Sequence, residues 1–470
     1  MVCEAAGVPS VSLVCEGFER QAAATARGLG FDDVPLAVMR GHVDAQSYDE
    51  MIESFIAHTI DEIVAGVTRD TDDASGARVD DEEPGAFDIV VRGSIDDVTR
   101  EFRERGWTDG LPFVPPTRDR VAAFIEPTGH DPFRVIATAK PSGRDMTVWS
   151  VAVNGVMAGC RPEDLPVLLA IAEALADPHY GVEHSGNTTG ADALVVLDGS
   201  VVDELGFNHG AGAMREGAGP NTTVGRWLRL FLRNVCDFTA DEHDKATFGN
   251  SARVVLAEDR ATLGELGWAP LCADFGVVDG SDAVTLARIN SGLIVGSVKG
   301  STPEEIVPYL ADALVRVTGW ELTHVFGLGH GQYRPLLILS PVLARVFGRA
   351  AWTKAQVRDA LFEAARIPAS KFERLIGEWS NLTAGRPRLV ELAADGRVPA
   401  VFAESDDPHR LVPIVNTPDH FLIAVAGDPH RTNAYVMSND GPHGDWTSRR
   451  IDRAYSQDLV CRIDNRDACS

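Results

Sequence analysis

Ala193-Leu194-Val195-Val196-Leu197 is an unbroken apolar run with a Gly-rich polar loop before it and another after it. A run this short and this apolar predicts a strand buried on both faces, which requires covering layers on each side of a sheet. Further candidate strands are Arg134 to Ala139, Arg253 to Ala257, Val284 to Ile289, Thr323 to Gly327 and Pro335 to Leu339. Between and beyond them, helical periodicity covers Leu165 to Ala176, Val224 to Val235, Pro303 to Thr318, Pro341 to Gly348, Thr353 to Arg366 and Ser370 to Trp379. The alternation predicts an α/β fold. Phe421 to Ala426 and Asn433 to Met437 are expected to close it as a β-hairpin around Gly427-Asp428-Pro429-His430.

The first residues repeat the pattern on a smaller scale. Strands are predicted over residues 8 to 16 and Val34 to Met39, with helices over Arg20 to Leu29 and Tyr48 to Val67. The second helix places Ile52, Ile56, Ile60, Ile63 and Val67 on one face. Two parallel strands do not make a stable sheet alone, so this unit reads as a truncated small parallel-sheet unit with an edge that needs covering. Asp70 to Pro84 is acidic and nearly free of apolar residues. The expected division is 1–68, an acidic linker over 69–86, a large α/β domain over 87–447 and a polar tail over 448–470.

Asp and Glu outnumber Lys and Arg by 69 to 43, a formal charge of −26, which argues against nucleic acid or an anionic membrane as partner. The seven cysteines are scattered and contain no CxxC, so neither a disulfide framework nor a zinc knuckle is indicated. No apolar run approaches the ~20 residues of a membrane span. A cytoplasmic protein that forms an oligomer is the expectation.

The chemistry-bearing residues gather in three Gly-rich stretches between Asn154 and Arg226. Asn154 to Asp164 reads as a loop that puts Cys160 at or just before a helix start and beside Arg161, where a thiolate is stabilised. His184 to Gly190 carries His184, Asn187 and Thr188, and Asn208 to Thr223 carries Asn208, His209, Asn221 and Thr222 ahead of Arg226. Glycines admit a ligand close to the backbone, and a helix start offers free N–H groups to an anion. Cys160 is the candidate nucleophile or thiolate ligand, while His184, His209 and His330 are candidate proton carriers. Glu258, at the end of an apolar strand, is a further catalytic candidate. Asn187, Thr188, Asn208, Asn221, Thr222 and Arg226 are the expected contacts of a small anionic substrate. There is no HExxH and no GxxxxGK[ST], so no cofactor is indicated; a metal would need ligands from distant loops, such as Cys160, His184 and Glu258.

Gly7-Val8-Pro9, Phe18, Arg27-Gly28-Leu29-Gly30 and the long helix after Asp44 resemble the latter half of the UGSC family of (seleno)proteins, named for a selenocysteine- or cysteine-Gly-Ser-Cys motif. In that family the motif precedes the stretch equivalent to Glu4 to Pro9. No Cys-Gly-Ser-Cys occurs in this sequence, and Cys3 does not match it. Gly106 to Thr117, Met157 to Pro166, Gly219 to Arg226, Leu339-Ser340-Pro341 and Trp352-Thr353-Lys354 resemble large proteins that carry or neighbour UGSC domains. The resemblance implies thiol chemistry, either redox or cleavage of a carbon–heteroatom bond. It also implies an alternative: a binding or scaffolding subunit whose partner carries the motif. A metal-dependent lyase or hydrolase is the third expectation.

Overall fold

A computed structural model describes residues 3, 6–31, 34–41, 46–69, 84–85, 87–217, 219–240, 242–250, 254–278, 280–326, 331–380 and 387–452. In the N-terminal unit, β1 (Ser12–Cys15) pairs in parallel with β2 (Leu36–Met39). Helix α1 (Glu19–Gly28) connects them. After β2, α2 (Tyr48–Ser54) runs through a π-helical turn, Phe55–Thr59, into α3 (Ile60–Thr68). Two side chains fasten this long helix to the outer edge of β2: the Thr59 hydroxyl donates to the Val38 carbonyl at 3.0 Å, and the Glu62 carboxylate accepts from the Val38 N–H at 2.7 Å. The unit rests on the rest of the chain through Lys245 Nζ, which donates to the Gly17 carbonyl at 2.8 Å, and through the approach of Gly28 to the Pro141 backbone.

After α4 (Ile95–Glu104) and α5 (Arg118–Ile125), β3 (Val135–Thr138) and β4 (Asp145–Thr147) form a small antiparallel ribbon. Helices α6 (Val148–Ala158) and α7 (Leu165–Leu175) follow. The main sheet begins with β5 (Asp192–Asp198). Helix α8 (Pro220–Asn234) then leads to β6 (Val254–Ala257) and the long β7 (Ala283–Val295). Helix α9 (Pro303–Arg316) precedes β8 (Leu336–Leu339). Helices α10 (Pro341–Arg349), α11 (Lys354–Ala364) and α12 (Ala369–Gly377) come next, with β9 (Arg366–Pro368) and β10 (Leu411–Pro413) paired beside them. The chain finishes its sheet with β11 (Leu422–Val425), β12 (Ala434–Asn439) and β13 (Thr447–Arg450).

The spatial order is β11-β8-β12-β7-β5-β6, with β13 also on β7. Strands β5 and β6 are parallel, as are β8 and β11, while β7 and β12 run antiparallel to their neighbours. The sheet curls until its two edges meet, where the Asp259 N–H donates to the Val425 carbonyl at 2.8 Å. Alternation along each strand explains the layers. Leu194, Val196, Leu256, Leu336, Ile338, Leu422 and Ala424 point into the curl. Val195 and Leu197 point outward to α6, α7 and α8, and Leu337, Leu339, Ile423 and Val425 point outward to α9, α10 and α11. Both faces are buried, which is why these strands read as continuous apolar runs.

Several expectations change. The two strands predicted as a closing hairpin both form, but β8 lies between them. Ser448 to Arg450, read as the start of a polar tail, form with Thr447 a strand of the main sheet; residues 453–470 lie outside the described residues. The predicted strand at Thr323 is part of a 3₁₀ helix, Trp320–Phe326, and Gly327 lies outside the described residues. The acidic stretch from Asp70 to Glu83 also lies outside them.

Candidate functional site

The first Gly-rich stretch is not a loop. Helix α6 continues to Ala158, and Gly159 ends it in the left-handed conformation, with φ of 83°. Gly155 is there for packing, since a Cβ would lie 2.9 Å from Phe124 Cζ and 3.2 Å from Leu168 Cδ1. Cys160 therefore lies between two helices: its N–H caps the Gly155 carbonyl of α6 at 2.9 Å, and the 3₁₀ turn Pro162–Asp164 that leads into α7 begins two residues later, so it does sit just before a helix start. It is 9% exposed. Burial, reinforced by the Asp164 charge, pushes its thiol well above the usual cysteine range, opposite to the lowering expected of a nucleophile. Arg161, expected to favour the thiolate, is engaged by Asp164 at 2.8 Å.

The predicted anion clamp is filled by the chain itself. Arg226 Nε and Nη2 each donate to the Asp109 carboxylate at 2.9 Å. Helix α8 starts at Pro220, earlier than the predicted Val224, so Asn221 and Thr222 lie in its first turn. The Asn221 side chain is spent on backbone: it accepts from the Asn208 N–H at 2.7 Å and donates to the Asn208 and Val255 carbonyls at 3.1 and 2.9 Å. Thr222 Oγ1 accepts from the Gly217 N–H at 2.8 Å. Asn208 closes its own turn by accepting from the Gly210 N–H at 3.0 Å. His209 Nε2 stands 3.8 Å from Asp203, and its carbonyl accepts from the Gly427 N–H at 2.8 Å. These residues shape the α8 entry rather than a free anion pocket.

Glu258 is fully buried where the sheet edges meet. Its carboxyl accepts from the Leu271 N–H at 2.7 Å and the Val425 N–H at 3.4 Å. Burial pushes it up to about 7, and burial likewise lowers Lys354, whose Nζ donates to the Ile423 carbonyl at 3.0 Å. Nearby, Arg358 donates to Asp274 at 2.5 Å and to the Phe421 carbonyl at 3.0 Å. This network pins α11 across the seam of the sheet.

A different constellation forms where β12 parts from β7. The pairing register shifts between Ser438 and Asn439, and the chain bulges through residues 440–446 before β13 rejoins β7. The Asp440 N–H donates to the Arg288 carbonyl at 2.8 Å, which hangs this loop from the middle of β7. The turn at Tyr180-Gly181, which leads into the second Gly-rich loop, packs against it backbone to backbone. A Cβ on Gly181 would lie 2.5 Å from the His443 carbonyl oxygen, and Gly444 meets the Tyr180 carbonyl with no room for a side chain.

Asp440, with a side chain that has no exposure, is the centre. Its carboxylate accepts from Asn187 Nδ2 at 2.5 Å and lies 3.0 and 3.1 Å from His443 Nδ1. Arg288 Nε is 3.5 Å away, with Nη1 donating to the Gly181 carbonyl at 2.9 Å and the guanidinium 4.8 Å above the Tyr180 ring. Burial alone would raise the Asp440 carboxyl, but the hydrogen bond and charge of His443 and the charge of Arg288 outweigh it and hold it below the usual carboxylate value. Asn187 is fixed in turn, its Oδ1 accepting from Thr189 Oγ1 at 2.7 Å and the Gly190 N–H at 3.1 Å. His443 is about a third exposed, and its ring centroid is 5.4 Å from that of His184.

Of the predicted residues, His184 and Asn187 meet here. Thr188 is exposed beside them and its carbonyl accepts from the Thr247 N–H at 3.0 Å. Cys160, His209, Asn208, Asn221, Thr222, Arg226 and Glu258 belong to the other networks, and His330 lies outside the described residues. The described residues contain no group of three or more His, Cys, Asp or Glu side chains arranged to hold a metal, so Cys160, His184 and Glu258 are not a ligand set. Sequence reasoning missed Arg288, Asp440 and His443. The signal was present: Asp440-Gly441-Pro442-His443-Gly444-Asp445 follows an apolar strand as a polar, Gly-containing loop, as His184 to Gly190 precedes one.

Comparison with the curated proteins finds no match to the chain. No helix of the described residues is long and apolar enough to cross a membrane. Residues 1–69 match the UGSC family, and the N-terminal unit is thus UGSC-like.

Proposed function

We propose that this chain is an enzyme performing general acid–base chemistry on a small polar molecule, with His443 as the proton carrier and Asp440 as its positioning carboxylate. The observation that carries the reading is the pairing of a fully buried carboxylate with the Nδ1 of a partly exposed imidazole at 3.0 Å. A carboxylate acceptor holds the proton on Nδ1 and leaves Nε2 to act as base. His184, one ring away, is the second proton carrier. Lyase and hydrolase reactions that break a carbon–heteroatom bond need this equipment. A thiol mechanism through Cys160 is less well supported, because a buried thiol with a raised pKa is a poor nucleophile.

The test is untargeted turnover. The purified chain is incubated with a small-molecule extract of its host, and consumed and formed compounds are followed by mass spectrometry. Conversion should fall by about 100-fold or more in His443→Gln and persist in Cys160→Ser. Conversion that survives His443→Gln and is lost in Cys160→Ser would return the chemistry to the thiol. No conversion by the wild-type chain would favour a non-catalytic binding subunit.

A further inference from the structure

The long helix of the UGSC-like unit presents an apolar ridge to solvent. Tyr48 (72% exposed), Ile52 (40%), Ile56 (63%), Ile60 (38%) and Val64 (52%) recur every fourth residue, and Val67 (44%) extends the row. The ridge is about 30 Å long at 1.5 Å per residue. In an uninterrupted α-helix a four-residue spacing drifts around the axis. The π turn at Phe55–Thr59, with its wider i→i+5 winding, counters that drift and keeps the row on one side.

The ridge cannot turn inward. Thr59 and Glu62 hold the helix to Val38 at 3.0 and 2.7 Å, and Gly66 packs so closely that a Cβ would lie 2.9 Å from Val11 Cβ. The rotation of the helix is therefore set by the sheet, with Thr59, Glu62 and Gly66 toward it and the ridge beside them. On the ridge's other flank, Asp49, Glu53 and Asp61 each follow a ridge residue by one position and are exposed. No lysine or arginine occurs between Tyr48 and Thr68.

We propose that this ridge is the docking surface for an amphipathic helix of a different polypeptide, apolar on one face and edged on one side with lysine or arginine. A row of i, i+4 side chains is the ridge that packs into the groove of another helix. The acidic flank selects the partner by charge complementarity. A second copy of this chain would bring the same acids against it within a protein of charge −26, and an anionic membrane is repelled for the same reason.

The probe is a synthetic amphipathic helical peptide with leucine every fourth residue and a lysine row beside it, compared with the same peptide carrying glutamate in that row. Binding to the full chain is read by fluorescence anisotropy. The lysine peptide is expected to bind at least about tenfold more tightly than the glutamate peptide and to weaken with salt. Ile52→Ser and Ile56→Ser should each weaken it about tenfold with an unchanged circular dichroism spectrum, whereas Leu13→Ser, also exposed but off the ridge, should not. Equal binding of both peptides, or binding indifferent to Ile56→Ser, would overturn the proposal. So would dimerisation in sedimentation that Ile56→Ser abolishes, which assigns the ridge to a second copy. Flotation with phosphatidylcholine vesicles that depends on Ile56 would assign it to a lipid surface instead.

Discussion

Arg226 and Asp109 form a two-pronged ion pair, both bonds 2.9 Å, across 117 residues of sequence and with side chains only 18% and 10% exposed. The guanidinium that the sequence offered to a ligand is thus neutralised from within. Removing the acid leaves a half-buried cation. Asp109→Asn is expected to destabilise the chain by on the order of 2 kcal/mol and to create weak sulfate or phosphate binding that the wild type lacks. Thermal melts with and without added sulfate check both parts; a variant as stable as wild type and blind to sulfate would contradict this account.

Cysteine reactivity should follow burial. Cys3 is exposed and Cys15 half-buried, whereas Cys160, Cys236 and Cys272 are buried. Iodoacetamide on the native chain is expected to label Cys3 and Cys15 within minutes and to reach Cys160 only in denaturant, as read by peptide mass spectrometry. Fast labelling of Cys160 in the native state would restore it as a reactive thiol.

Asp440→Asn should reduce turnover by roughly 10²–10⁴-fold, because the proton on His443 Nδ1 loses its carboxylate acceptor. The folded Asp440 carboxyl lies below its ordinary 3.8, so its stabilisation is present above that pH and fades as pH falls through the lowered value. The melting temperatures of wild type and Asp440→Asn should therefore differ at pH 7 and converge toward pH 3. A constant gap would place the effect elsewhere.

Glu258 titrates in the opposite sense. Its folded value of about 7 exceeds the ordinary 4.5, so the folded state holds the proton more tightly than the unfolded chain does. The stability it contributes is complete below about 4.5 and is lost as pH rises through about 7, by on the order of 3 kcal/mol. Glu258→Gln, which cannot ionise, is expected to gain on wild type between pH 5 and pH 8 in denaturant titrations. Parallel curves for the two proteins would mean that Lys354 keeps Glu258 ionised throughout.

Much of the scaffold was legible because its cause is local. Strands buried on both faces must be apolar throughout, as Leu194 to Leu197 and Leu336 to Leu339 are, and the helical period from Thr353 to Arg366 matches α11, whose start the structure shows held by a capping box between Thr353 and Gln356. Where tertiary contacts outweigh propensity, the reading failed. Thr323 to Phe326 is β-branched and aromatic enough for a strand, but Glu321 at its head accepts from Ser438 Oγ and the Gly319 N–H at 2.8 Å, and the segment winds into a 3₁₀ helix. Glycines misled in a similar way. They mark close approach, and a sequence does not say whether a ligand or another stretch of chain approaches: at Gly155 it is Phe124, and at Gly186 the His243 backbone.

By itself the sequence determined an α/β chain with a UGSC-like start, an acidic surface and polar loops bearing His184 and Asn187. Only the tertiary structure decided what those two residues face. Asn187 and Asp440 are 253 positions apart, and they meet because β12 and β13 lie along one edge of β7 while β5 lies along the other. Strand order of that kind comes from the packing of all the layers at once, so no local pattern around either residue encodes it.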